Sequence, residues 1–133
     1  MTPDQDTPCA IDVKPGTTPK VLSKHGDNNN VGVAILSTPS FYAPGDVVNT
    51  AEMTLNGEPV KVNRNGQGTC SVRDVNGDGI KDLICQFSSG GLALGRNFAT
   101  LEFQVSTAQC GANALPGMPT CFARARQLIT VVK

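Results

Sequence analysis

Nine consecutive residues, from Asp74 to Asp82, concentrate the oxygen-bearing side chains that a hard metal ion requires. Carboxylates or carboxamides occupy the first, third, fifth and ninth positions, which are Asp74, Asn76, Asp78 and Asp82. Ca²⁺ takes about six to eight oxygen ligands at roughly 2.3–2.6 Å, and alternate residues of a tightly curled loop can point at one ion. The pattern therefore predicts a Ca²⁺ site built from the side chains of a single loop.

The same loop has the backbone features that such a site needs. Gly79 at the sixth position permits a sharp turn, and the backbone carbonyl of Ile80 at the seventh is a further predicted ligand. The ligand set is all oxygen, which favours calcium over softer metals. Three carboxylates so close together would repel one another and would be costly to bury without a cation. The alternative is a polar hairpin loop that binds nothing, in which the Asx-Gly pairs serve only as turns.

The loop differs from an EF-hand in two respects. Its twelfth position is Cys85 instead of the bidentate Glu, and its flanks, residues 69–73 and 83–87, read as strands instead of helices. Asp82 at the ninth position is expected to close the site instead. Cys70 and Cys85 lie on the two flanking strands, and counting outward from the loop places them within one residue of facing each other. We expect a cross-strand disulfide that clamps the base of the loop.

Three further cysteines are present, which makes the total of five odd. Cys110 and Cys121 bracket a loop of ten residues and are candidates for a second disulfide. Cys9 is then left as a free thiol, as a link to another chain, or as a residue that displaces one partner in this pairing. The alternatives are reduced, buried thiols or a zinc site, and the latter is disfavoured because the chain has no C-x-x-C pair.

The elements that must hold the loop are predicted to be strands throughout. Residues 31–36 form an apolar, β-rich run, residues 98–105 and 121–132 alternate, and residues 50–55 alternate with Ala51, Met53 and Leu55 on one side. Asn56-Gly57 is a strong hairpin-turn signal. No stretch has a helical period with caps. We predict an all-β fold: a single antiparallel β-sandwich, immunoglobulin-like, with a calcium-binding hairpin loop. Residues 1–8 are expected to be a flexible N-terminal lead, and residues 9–133 the domain.

Charge and hydropathy exclude several classes of partner. The 133-residue chain carries eleven Lys and Arg against eleven Asp and Glu, so its formal net charge is zero. This balance argues against nucleic acid and anionic membranes, which need a basic surface. No run approaches the roughly 18 apolar residues that span a membrane, so membrane insertion is not expected. Five cysteines in so short a chain favour an oxidising, extracellular or cell-surface location.

Four motifs resemble, in the same order, those of a small β-domain found in secreted bacterial and archaeal proteins. They are I-D-V-K-P-G at residues 11–16, V-G-V-A-I-L at residues 31–36, the loop D-V-N-G-D-G-x-x-D-L, and Ala99-Thr100-Leu101. The resemblance implies an extracellular β-domain with no known catalytic activity. The chain departs from the family pattern at Gly32, where the family has Pro, and in the insertion between Cys110 and Cys121. The loop alone is similar to those of FG-GAP (integrin-type) repeats, dockerins and thrombospondin type 3 repeats.

The motifs favour a binding or structural role over an enzyme. His25 is the single histidine, and no nucleophile, zinc-protease or phosphate-binding motif is present, so no catalytic residue is predicted. The leading hypothesis is a non-enzymatic extracellular module with a structural, adhesive or assembly role, whose fold calcium stabilises. The alternatives are a carbohydrate-binding module of a secreted enzyme, which would use Tyr42 because the chain has no Trp, and a filament subunit linked through Cys9. The expected partner is a protein or glycan at the cell exterior, or a second copy of the chain.

Overall fold

The longer strands are formed by runs of alternating or continuous apolar residues, and all strands are arranged in two sheets. This computed structural model describes residues 10–15, 21–23, 30–39, 41–106, 113–114 and 121–132. The strands are β1 (Ala10–Val13), β2 (Val21–Ser23), β3 (Asn30–Leu36), β4 (Val47–Val48), β5 (Thr54–Leu55), β6 (Glu58–Pro59), β7 (Cys70–Arg73), β8 (Asp82–Ser88), β9 (Gly95–Val105), β10 (Asn113–Ala114) and β11 (Cys121–Val132). The prediction of an all-β, sandwich-like fold is confirmed.

The first sheet carries the predicted metal loop at its edge. Its four strands run in the order β1-β3-β8-β7, and every neighbouring pair is antiparallel. β3 lies between β1 and β8, which explains why its sequence is almost wholly apolar: Val33, Ala34 and Ile35 are all fully buried. β7 is an edge strand, so the loop that joins it to β8 lies at the margin of the sheet.

The second sheet is built around the long antiparallel pair β9 and β11. Its order is β10-β11-β9-β5-β6, with β4 also paired to β9 and β2 also paired to β11. The β2–β11 pair is parallel, so this sheet is mixed and not purely antiparallel. Along β9 the predicted alternation is confirmed, because Ala99, Leu101, Phe103 and Val105 are buried and the residues between them are half-exposed.

One continuous core lies between the two sheets. Its largest fully buried side chains come from both sheets and from the segments that join them: Phe41, Phe87, Phe103, Ile35, Met53, Leu55, Leu92 and Leu101. Burial of this apolar surface is the main force that holds the sheets together, at about 25 cal/mol for each Å² removed from water.

Two local predictions were wrong. A one-turn helix, α1 (Ala43–Asp46), forms where none was expected, with a proline in its first turn, a position where the missing N–H costs nothing. The predicted strand over residues 50–55 is instead a 3₁₀ turn over Thr50–Glu52 followed by the short β5. Asn49 directly precedes this segment and adopts a left-handed conformation with φ of 53°, which asparagine tolerates better than most residues, so the chain enters the turn and not an extended strand.

Turn chemistry was predicted correctly at Asn56-Gly57. Both residues have positive φ, 50° and 84°, as a tight hairpin turn between β5 and β6 requires.

Within the described ranges, no helix has the length and apolar character that crossing a membrane would demand.

Candidate metal centre

The loop that joins β7 to β8 is held at its base by strand pairing. Arg73 pairs with Asp82, and Cys70 pairs with Cys85, in one antiparallel register. The chain must therefore leave β7 and return to β8 across a single strand spacing. This geometry brings the first and last residues of the predicted ligand set, Asp74 and Asp82, close together.

The loop is curled by hydrogen bonds from its own backbone amides to its carboxylates. Asp74 accepts through Oδ1 from the Gly77 amide and through Oδ2 from the Gly79 amide, both at 2.9 Å. Asp78 Oδ1 accepts from the Ile80 amide at 2.9 Å. Gly77 and Gly79 have φ of 75° and 85°, a left-handed conformation that glycine adopts without strain. The predicted need for glycine at the sixth position is thus met at Gly79.

The three carboxylates converge as the sequence predicted. One oxygen from each of Asp74, Asp78 and Asp82 lies within 4.8 Å of the other two. Oxygens on opposite sides of one calcium ion are roughly 4.6–5.2 Å apart, since each lies about 2.3–2.6 Å from it. The three oxygens therefore fit around one ion of this size. A donor set made only of oxygen suits a hard cation and does not suit zinc or copper, which favour nitrogen and sulfur.

The three carboxylates differ in burial. Asp82 is fully buried, Asp74 is half-buried and Asp78 is exposed. Asp82 is compensated by two backbone amides, because its Oδ1 accepts from Ser37 at 2.7 Å and its Oδ2 from Val75 at 3.0 Å. Each oxygen keeps a lone pair after these bonds, so Asp82 can still serve as a ligand. Only Asp82 therefore incurs the full desolvation cost of burial, and its two hydrogen bonds to backbone amides offset this cost.

The backbone also sets the charge state of Asp74. The amide of Gly79 is the largest influence that lowers the pKa of this carboxyl below its ordinary value of 3.8, and the amides of Gly77, Asn76 and Asp78 lower it further. Partial desolvation opposes this shift. Asp74 is therefore ionised over the whole physiological pH range and available to a cation.

Two other predicted ligands lie in the loop without direct evidence for a ligand role. The Asn76 side chain is exposed, and its Oδ1 accepts from the Asp78 amide at 3.3 Å. Ile80 is half-buried, and its amide donates to Asp78. The coordination of an ion by Asn76 Oδ1 and by the Ile80 carbonyl stays a prediction.

The predicted clamp beneath the loop is confirmed. Cys70 and Cys85 form a disulfide, and they are direct register partners, which lies within the predicted margin of one residue. Cys85 is 1% exposed and belongs to the core, so the bond ties the loop base to the sandwich interior. Cys9 and Cys110 lie outside the described residues. Cys121 begins β11, but its side chain is not among the described ones, so the second predicted disulfide stays a prediction.

A network around Ser37 was missed by the sequence reasoning. The Ser37 hydroxyl donates to the Lys81 carbonyl at 2.7 Å and accepts from the Ala43 amide at 2.9 Å, while its own amide bonds Asp82. It thereby joins the candidate metal loop, residues 74–82, to the corner between β3 and α1. The only signal in the sequence is a small polar residue directly after an apolar strand, and 45 residues separate Ser37 from Asp82.

The aromatic residues considered for the carbohydrate-binding alternative differ in exposure. Tyr42 is 47% exposed, whereas its neighbour Phe41 is 1% exposed and part of the core. His25 and Cys9 lie outside the described residues.

Comparisons with protein-family models, with curated proteins and with solved structures each found no match. The resemblance to the secreted β-domain therefore rests on the motifs themselves.

Proposed function

We propose that this protein is a non-enzymatic, calcium-stabilised module of the cell exterior with a structural, adhesive or assembly role. The observation that carries the proposal is the convergence of Asp74, Asp78 and Asp82, whose oxygens fit around one hard cation. Asp74, Asn76, Asp78 and Asp82 would hold the ion through their side chains, and Ile80 through its carbonyl. The ion would supply charge neutralisation and loop order, and no reaction is implied.

The connections of the loop favour a role in folding. Asp82 is hydrogen-bonded to Ser37, and the Cys70–Cys85 disulfide lies beneath the loop, so both ends of the ligand set are fastened to the core. An ion bound at this point would join the exposed Asp78 to Asp74 and Asp82, which hydrogen bonds already hold in place. Because the unfolded chain holds no such arrangement, the ion binds the folded state preferentially and stabilises it by mass action.

The disulfide also supports an extracellular location. Disulfides persist in oxidising compartments and are rare in the cytosol. Outside the cell calcium is abundant, so even a weak site would be filled there. The location and the metal are thus mutually consistent parts of one proposal.

The test is thermal unfolding followed by circular dichroism, first after exhaustive chelation and then with added Ca²⁺. At a Ca²⁺ concentration of a hundred times the Kd, binding adds about 2.7 kcal/mol. For a chain of 133 residues this corresponds to a rise in Tm of about 10 °C. The Asp78→Asn variant should lose most of this rise while keeping its Tm in chelator, because Asp78 is exposed and contributes little to the ion-free fold.

Glu52→Gln is the matched control, since it removes the same charge from an exposed acid outside the loop. It should show the full calcium response. A Tm that does not change on adding Ca²⁺, or an equal loss of response in Asp78→Asn and Glu52→Gln, would contradict the proposal. Isothermal titration with Mg²⁺ and Zn²⁺ in parallel would show whether the site prefers calcium, as its all-oxygen donors imply.

The structure gives the carbohydrate-binding alternative little support. Sugar platforms stack rings on exposed aromatic side chains, and burial of Phe41 leaves Tyr42 without its aromatic neighbour on the surface. The filament alternative is based on strand edges, on the N-terminal lead and on Cys9, and the last two lie outside the described residues. We therefore rank both below the calcium-stabilised module.

A further inference from the structure

The outer surface of the second sheet, turned away from the core, combines exposed apolar and basic side chains. Phe98 on β9 pairs with Leu128 on β11, and Thr130 of β11 pairs with both Arg96 and Val21. Strand alternation places these residues on the same side as Arg126 and Val132. We call this set the basic-apolar face: Val21, Arg96, Phe98, Arg126, Leu128 and Val132.

The apolar members of this face are exposed to solvent. Phe98 is 47% exposed, Val132 41%, and Val21 and Leu128 39% each. They make up four of the eight exposed large hydrophobic side chains among the described residues. Scattered single apolar residues on a surface need no explanation, whereas a contiguous apolar patch on one sheet face is typical of a binding surface. The concentration of such residues on one face therefore points to a partner.

The charge on this side of the sheet is positive although the whole chain is neutral. Among the described residues of β9 and β11, the strand registers place Arg96, Arg124, Arg126 and Glu102 on this side, so three positive charges and one negative charge leave a net +2. Arg124 is paired with Glu102 at 2.8 Å. Within the described part of the chain, no carboxylate forms an ion pair with Arg96 or Arg126. The face therefore complements a negatively charged surface.

The contact between Arg126 and the ring of Phe98 favours an acidic protein segment over an anionic polysaccharide. The Arg126 guanidinium lies 4.7 Å from the centre of that ring, so one aromatic face is already covered by a cation. A sugar ring would need that face for stacking, and anionic polysaccharides lack the apolar groups that Val21, Leu128 and Val132 would contact. A second copy docking through the same face would bring arginines against arginines.

We propose that the basic-apolar face docks a protein segment that carries both acidic and aliphatic side chains. Its acidic groups pair with Arg96 and Arg126, and its aliphatic groups cover Phe98 and Leu128. This inference goes beyond calcium binding and does not depend on it, because no residue of the face belongs to the metal loop.

The test is fluorescence anisotropy of the folded protein with short labelled peptide pools of defined composition: acidic-aliphatic, acidic-polar, basic-aliphatic and neutral-polar. Heparin serves as the anionic polysaccharide probe. The acidic-aliphatic pool should bind best, and binding should weaken as sodium chloride is raised, because salt screens exposed charges. Phe98→Ser and Arg126→Glu should each weaken that binding about tenfold or more, as central contacts of an interface do.

The matched controls are Val72→Ser and Arg73→Glu, which replace an exposed apolar residue by Ser and an exposed Arg by Glu on β7 in the other sheet. They should leave the affinity unchanged. Leu128→Ser is a second variant of the face, and circular dichroism melts establish that every variant is folded. The proposal is overturned if no pool binds, if the face variants and the β7 variants lose affinity equally, if heparin binds and the peptides do not, or if light scattering shows that the face only joins two copies.

Discussion

Removing the Cys70–Cys85 disulfide by a double substitution to alanine is the sharpest test of how the metal loop is held. The bond joins residues separated by 15 positions. On the chain-entropy model, closing a loop of this length restricts the unfolded chain enough to stabilise the fold by about 3 kcal/mol. Unfolding entropy of about 2.1 cal/mol/K per residue then converts this loss into a fall in Tm of about 10 °C for 133 residues.

The assay is urea unfolding monitored by circular dichroism, because the chain has no tryptophan to report by fluorescence. The free energy of unfolding should fall by about 3 kcal/mol. The dependence on urea should become steeper, since an unfolded chain without the cross-link exposes more surface. The core-buried Cys85 adds a packing loss of its own, whereas Cys70 is only half-buried, so Cys70→Ala gives a smaller packing loss beside the loss of the bond.

A double-mutant cycle separates the cross-link from the two side chains. Either single substitution breaks the bond, so each should cost nearly as much as the double substitution. If the two single costs simply add, or if the double variant loses less than about 1 kcal/mol, the bond does not act by constraining the unfolded chain and our reasoning is refuted.

Two further predictions concern the groups around the loop. The pKa of Asp74 is lowered in the folded protein, so its contribution to stability is complete above the pKa of the unfolded chain and is lost as pH falls through the lower folded value. With chelator present, the free energy of unfolding should therefore fall more steeply below a pH of about 4 in the wild type than in Asp74→Asn. Identical slopes for the two proteins would contradict this prediction. Ser37→Ala should cost about 1–3 kcal/mol in urea unfolding, because the buried Ala43 amide loses its acceptor. The exposed Ser71→Ala is its control, and equal costs for the two would count against the network.

The sequence was most informative where structure is local. The spacing of Asp74, Asn76, Asp78 and Asp82 is a property of nine adjacent residues, and the chain can curl there whatever surrounds it. Asn56-Gly57 formed the expected turn because its conformation depends on those two residues. Alternation along β9 placed its inward residues correctly because the strand period is two.

Sequence reasoning failed at a single backbone conformation, at an element too short to show a period, and at a pairing of distant strands. Residues 50–55 alternate like a strand, yet Asn49 turns the chain into a 3₁₀ turn before β5 can pair with β9. α1 escaped prediction because a single turn has no helical period to detect. The parallel pairing of β2 with β11 joins segments about a hundred residues apart, and no local signal specifies it.

By itself, the sequence determined which residues can form the metal loop, that strands flank it, and that two cysteines stand near its base. Only the tertiary structure decided that Asp82 alone of the three carboxylates is buried, that Ser37 holds it, and that Phe98 and Arg126 share an exposed face. The physical reason is that spacing along the chain fixes local turns and alternation. Burial, long-range hydrogen bonds and the composition of a surface are set by how the two sheets pair and pack.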